Sequence, residues 1–455
     1  MARKASPFVR ALLLSVMALS VAGCDSLASL NPFADHKTPL PGERHDVFGA
    51  ADDVNQAKAK ETVASIGAPQ GGGDWPDAGG PASNDSGNVA FSGSGARGWS
   101  SAVLGGTGSY GGWMSFGSGA AMRVSAKPVT GGGLVYVYTP DGKVTAISQS
   151  SGGRAWQTSV KPDKERDSAI GGGVAYDQGR VYVSTGYGSL LALDAASGKQ
   201  LWTKDIESPA RGAPTSAGGK VFVVSSNNVV FTVNAADGTE VWTYRGIPES
   251  AGLLAAASPA VSGNTLVVPF SSGEVMGFDV TKGQPLWSDA VTRATRTMVL
   301  SSVSDVSGSP VVSGGTVYAS GVSGRTIAVD LKTGERKWEQ DFGSTNTPIV
   351  SGNAVFVLDL DDRLIALDRS SGGVIWSTQL PIINTKNKRS HWSGPVLGGG
   401  RLWVVSTESQ IAAVDASNGQ LGATKPLPGP AYLGPIIANG SLIVVTGNGT
   451  INALR

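Results

Sequence analysis

Few side chains in this chain of 455 residues have the types and spacing to do chemistry. The single cysteine, Cys24, excludes an internal disulfide and a cysteine-rich metal site. The three histidines, His36, His45 and His391, do not pair at metal-ligand spacing. No Ser/His/Asp arrangement, paired carboxylate site or phosphate-cradling loop emerges, so no catalytic residue, metal or cofactor is expected. What recurs is an acid or amide, then glycine, then tryptophan, each four residues apart: Asp194, Gly198 and Trp202 in LLALDAASGKQLW (190–202) are one copy. Their chemistry is that of a turn. The carboxylate bonds its own backbone two residues on, glycine supplies a positive φ, and the indole is a large apolar plate.

The cysteine sits at the end of an address. Arg3, Lys4 and Arg10 precede an apolar run, Ala11–Ala22, and no acid occurs before Cys24. That is signal-peptide anatomy, with an apolar run too short to span a bilayer comfortably. Val21-Ala22-Gly23-Cys24 resembles a bacterial lipobox, which implies lipidation of Cys24 after removal of residues 1–23. Asp25, next in the chain, is a residue that favours inner-membrane retention in enteric bacteria. Residues 24–94 are Pro- and Gly-rich without period and are expected to form a flexible tether, His36 and His45 within it. Without the three basic residues of the leader, the formal net charge of +1 becomes about −2. That balance gives no sign of nucleic-acid binding.

The turn phrase returns at 144–156, 190–202, 230–242, 275–287, 326–338 and 364–376, and a seventh copy, 411–423, has Ala423 in place of tryptophan. An eighth begins at 450 and stops at Arg455. Upstream of each copy lies a short apolar run, a Gly-containing turn and an alternating apolar strand. Each unit therefore reads as four strands, with successive tryptophans 38 to 51 residues apart. A repeat of this length, with 64 glycines in the chain, predicts a β-propeller. Units start near 126, 172, 212, 257, 308, 346, 394 and 434. The truncated eighth lacks an outer strand, and the stretch 96–106, with Trp99, is expected to supply it. The expectation is an all-β domain over 95–455: eight antiparallel four-stranded blades, the last closed by an N-terminal strand. Trp99, Trp156, Trp202, Trp242, Trp287, Trp338 and Trp376 are expected to plug the gaps between blades.

The repeat resembles that of quinoprotein alcohol dehydrogenases, propellers that bind pyrroloquinoline quinone and calcium. Those enzymes usually carry adjacent cysteines against the cofactor, and this chain has none to offer. A fuller resemblance is to the BamB family, propeller lipoproteins of the outer-membrane β-barrel assembly (BAM) machinery. It rests on the lipobox, the tether, DWPDAGG (74–80), the Trp99 strand, eight repeats and the long segment 292–321; LPGER (40–44) resembles the alphaproteobacterial form. The resemblance implies a non-catalytic scaffold that assists insertion of outer-membrane proteins, anchored in the outer membrane and facing the periplasm. The implied partners are a periplasmic (POTRA) domain of BamA, other BAM components and nascent outer-membrane proteins. Partner contact is implied for two loops, 246–259 with Leu253 and Leu254, and the segment carrying Ser304, Asp305 and Val306. Leu254 stands where some members have arginine, and Ser307 where a second aspartate is common. Two other readings share the repeat: a quinone-dependent dehydrogenase, and a periplasmic propeller adaptor for another partner.

Overall fold

A computed structural model describes residues 63–104, 124, 126–249, 257–292, 305–383, 390–447 and 449–455. They form eight antiparallel four-stranded sheets arranged as the blades of a propeller. Blades 1 to 7 are continuous in sequence, at 129–159, 172–205, 215–245, 260–290, 311–340, 349–379 and 392–426. Blade 8 takes three strands from 436–454 and its outer one from Arg97–Ala102. The seam is antiparallel, with Arg97 opposite Leu454 and Ala102 opposite Thr450. It is locked beyond the strands by a reciprocal backbone pair: Ala96 N donates to Arg455 O at 2.8 Å, and Arg455 N to Ala96 O at 2.7 Å.

Within each blade the middle strands carry apolar residues on both faces, because both faces pack on neighbouring blades. Arg180–Thr185 and Ser189–Asp194 of blade 2 are buried along almost their whole length. The outer strand, Gln200–Asp205, is largely exposed except at Trp202. The core is therefore distributed between blades, each pair of sheets sharing one apolar layer.

The recurring phrase is the lock of that layer, and it works between blades. The indole of each tryptophan donates to a backbone carbonyl in the turn of the next blade, at 2.8 to 3.2 Å: Trp99 to Gln149, Trp156 to Ala195, Trp202 to Ala235, Trp242 to Val280, Trp287 to Leu331, Trp338 to Arg369 and Trp376 to Ala416. The glycine of that turn lies under the ring. A Cβ at Gly198 would come 2.5 Å from Trp156 Cε3, and Gly198 sits at φ +72°, so both space and backbone require glycine. Asp194 shapes the turn by accepting from Ser197 N at 2.9 Å.

This explains the missing tryptophan of blade 7. Its neighbour, blade 8, has no third–fourth turn, because its outer strand, Arg97–Ala102, does not follow its third strand in sequence. An indole from blade 7 would have no carbonyl to meet, and Ala423 stands in its place. The gap is filled from the second strand instead: Trp403 meets Phe91 edge-on, centroids 5.5 Å apart.

Antiparallel order gives the ring two different faces. One, the turn face, carries the first–second and third–fourth hairpins of each blade. The other, the connection face, carries the second–third hairpins and the blade-to-blade connections.

The expected flexible tether over 24–94 needs correction for residues 63–94, which pack on the turn face. Ala64, Trp75, Asp77, Asn84, Asn88, Val89 and Phe91 are all buried. This strap visits every blade. Asn353 N of blade 6 donates to Ser65 O, Gly399 N of blade 7 to Val89 O and Asn439 N of blade 8 to Gly73 O. Thr130 N of blade 1 donates to Trp75 O, Tyr176 N of blade 2 to Pro76 O and Ser216 N of blade 3 to Asp77 Oδ1. Val261 N of blade 4 donates to Ala82 O and Val312 N of blade 5 to Ser83 O. The strap thus satisfies edge N–H groups that open turns would leave to water. Cys24 and the rest of 24–62 lie outside the described residues.

Candidate partner-binding site

The two loops singled out in the sequence both leave the connection face, one on each side of blade 4. Leu253, Leu254 and Ser304 lie outside the described residues. The roots of both loops are described, and they rest on a buried polar floor.

Asp305 and Val306 belong to that floor. Asp305 is fully buried and forms an ion pair with Arg211, itself 1% exposed. Val306 is fully buried in the apolar layer between blades 4 and 5, with Val291, Val317 and Ala319. Their expected place in an exposed contact patch is therefore corrected: neither presents a side chain to a partner in this structure. The reason lies in Arg211, which precedes blade 3 in the run Pro209-Ala210-Arg211-Gly212. It reaches across the inner end of blade 4, donating from Nη1 to Pro269 O at 3.1 Å and from Nη2 to Asp305. Burial pulls the guanidinium pKa down, and the carboxylate beside it pulls it back up. The loop acid is thus an internal counter-ion that ties the approach to blade 5 to the approach to blade 3.

A second anchor holds the other loop. Asn228, in the second–third turn of blade 3 at φ +58°, donates from Nδ2 to Ile247 O at 2.7 Å. Its Oδ1 accepts from both the backbone N–H and the hydroxyl of Ser271 in blade 4, at 3.2 and 3.0 Å. The start of 246–259 is fixed to two blades at once, and Ile247 is left 59% exposed.

Ile247 has company. The exposed large apolar residues of the ring divide into two sets. Leu201, Val241 and Leu286 stand on the outer strands of blades 2 to 4. Ile170, Ile247, Leu360, Ile382 and Ile383 all stand in connections or second–third turns, on the connection face. Among the described residues, the turn face contributes only Val63, at the start of the strap. Arg211, Asn228 and Ile247 escaped the sequence reading. A lone arginine in a Pro/Ala/Gly run ahead of a buried strand was the available signal for the first. His391 is described, at φ +39°. Among the described residues, no three His, Cys, Asp or Glu side chains gather as a metal site would require.

The chain matches the family described as "Outer membrane protein assembly factor BamB" over residues 85–163, 140–378 and 383–455. The chain belongs to the BamB family. Among curated relatives, BamB of Yersinia pestis is 26% identical over 346 residues, 74% of this chain and 86% of that protein. BamB of Escherichia coli K12 is 26% identical over 332 residues, 72% and 83% of the two chains. Among solved structures, BamB from Moraxella catarrhalis superposes with a TM-score of 0.64 at 22% identity, covering 72% of this chain and 96% of that one. A quinohemoprotein alcohol dehydrogenase from Comamonas testosteroni gives 0.61 at 16% identity, covering 84% and 80%. These two likenesses speak for the fold alone. The family match begins at residue 85, so most of the strap lies outside it.

Proposed function

We propose that this BamB-family protein is a non-catalytic scaffold lipoprotein of the BAM machinery, which binds a periplasmic domain of BamA and assists insertion of outer-membrane proteins. Family membership supports the assignment. The observation that carries the mechanism is the buried floor, Arg211–Asp305 with Asn228, that fixes the roots of two loops on one face of a rigid ring. Loops fixed at their roots lose less ordering entropy on docking than free ones. Ile247, Leu253 and Leu254 supply the apolar contact, with Ser304 at its edge. Asp305 and Val306 act from below as positioning residues. Cys24 carries the lipid, which holds the ring at the outer membrane facing the periplasm and raises its local concentration around BamA.

Affinity purification from detergent-solubilised membranes tests the assignment: wild-type protein brings down BamA, and failure to do so overturns it. Leu253→Asp combined with Leu254→Asp is expected to abolish recovery, while Leu286→Asp on the rim leaves it unchanged. Equal recovery by all three moves the site elsewhere without disturbing the assignment. Cys24→Ser is expected to shift the protein from the membrane fraction to the soluble fraction; sucrose-gradient fractionation of the wild type distinguishes outer-membrane anchoring from the inner-membrane retention that Asp25 favours.

A further inference from the structure

The residues that precede the eight inner strands form a waist, where neighbouring blades touch. Gly173 lies between Ala126 and Ala213, where a Cβ on the glycine would come 2.8 and 2.7 Å from their methyl groups. Ser258 N donates to Ser309 Oγ at 2.9 Å, and Gly394 N to Asn346 Oδ1 at 3.1 Å. A Cβ on Gly434 would stand 2.8 Å from Gly394 Cα. Seven of the eight equivalent positions are small and uncharged: Gly173, Ala213, Ser258, Ser309, Thr347, Gly394 and Gly434. The eighth is Lys127, in blade 1.

Lys127 turns its long side chain along this waist. Its Cε lies 3.6 Å from where a Cβ of Gly434, in the neighbouring blade, would be. Protein atoms enclose the ammonium, yet the residue stays partly exposed. No hydrogen bond or ion pair holds it among the described residues. Burial with no opposing carboxylate lowers its pKa to about 8. Arg211, also enclosed, is matched by Asp305. An enclosed, unmatched charge is costly, and a methionine of similar length would fill the same space without that cost. The strap occupies the turn side: Asn84 reaches to Pro259 O and Pro310 O, next to Ser258 and Ser309 of the waist. Approach to the ammonium is therefore from the connection face.

We propose that the waist is a binding site for one oxyanion group, a carboxylate or a phosphate, with Lys127 as its counter-charge. An ammonium is a compact point charge that either group can meet. At the other seven blades the equivalent position carries no side chain longer than that of threonine.

The test uses the full ring with its strap, wild type beside Lys127→Met and Lys127→Arg, titrated with inorganic phosphate or succinate against chloride at constant ionic strength. Lysines are reductively methylated with ¹³C, which preserves their charge, and the Lys127 signal is assigned by its loss in Lys127→Met. A saturable displacement of that signal by either anion is expected, with surface lysines moving only slightly. The same anion is expected to raise the melting temperature of wild type and Lys127→Arg but not of Lys127→Met. Lys127→Met on its own is expected to melt higher than wild type, which also shows that it folds. Response to phosphate alone assigns a phosphoryl ligand, and response to succinate assigns a carboxylate. No saturable displacement with either anion, or an equal thermal gain in Lys127→Met, overturns the proposal.

Discussion

A tryptophan in this ring does three things at once: it covers apolar surface, donates one hydrogen bond and forbids a side chain on the glycine beneath it. Trp202→Ala removes all three and is expected to cost about 3–5 kcal/mol in chemical denaturation. Trp202→Phe keeps much of the area but loses the bond to Ala235 O, and a smaller loss is expected. The buried pair behaves differently. Asp305→Asn leaves Arg211 enclosed without its counter-ion, a loss of about 3–5 kcal/mol, whereas Arg211→Met with Asp305→Leu is expected to recover much of it. If the single and double variants unfold at the same denaturant concentration, the pair is not coupled as described. At this scale the sequence was legible where residues repeat and opaque where they do not. The phrase announces itself seven times; Asp305 occurs once, and its partner lies 94 residues earlier. An acid in a loop is ordinarily solvated, and only the fold brings the arginine that makes burial tolerable.

Among the elements, the strap is the one the sequence hid. Residues 63–94 are polar, Gly-rich and aperiodic, which is the composition of a linker. They are ordered because their partners are N–H groups on eight separate blades, and a set of contacts so scattered leaves no period to read. Blade boundaries and the borrowed outer strand were legible because apolar alternation and the turn phrase are local signals. The strap also carries a titration. Burial raises the Asp77 carboxyl to about 8, against an ordinary value of 3.8, and Asp177 nearby adds to the rise. The folded state therefore holds a proton that the unfolded chain releases, so stability falls as pH climbs from about 4 to about 8 and then levels off. Asp77→Asn is expected to flatten that slope and to stabilise the protein above pH 8, with no gain near pH 4. Melting temperatures across this range check it; a wild-type profile that rises through the window contradicts it. Trp75→Ala is expected to loosen the strap without opening the ring, seen as faster proteolysis between residues 63 and 94 while the remainder resists.

At the scale of the whole molecule, stability depends on closure. Removing residues 450–455 takes away the strand to which Arg97–Ala102 pairs, leaving blade 8 with two strands and the ring with a free edge. The truncated protein is expected to unfold in a broader transition and to show a larger radius in small-angle scattering. An unchanged radius and melting profile would mean that the strap alone holds the circle. The two faces also divide the labour. Turns and strap fill one side, while the exposed isoleucines gather on the other. Order of synthesis adds a constraint. The strand around Trp99 is made before any complete blade, and it must join residues about 350 positions later. Joining ends so far apart carries a large loop-closure entropy, which the seven intervening blades lower by curving toward each other. Closure of the circle therefore waits until the strand at Thr450–Leu454 has been made, and until then the strand around Trp99 needs shielding from stray pairing.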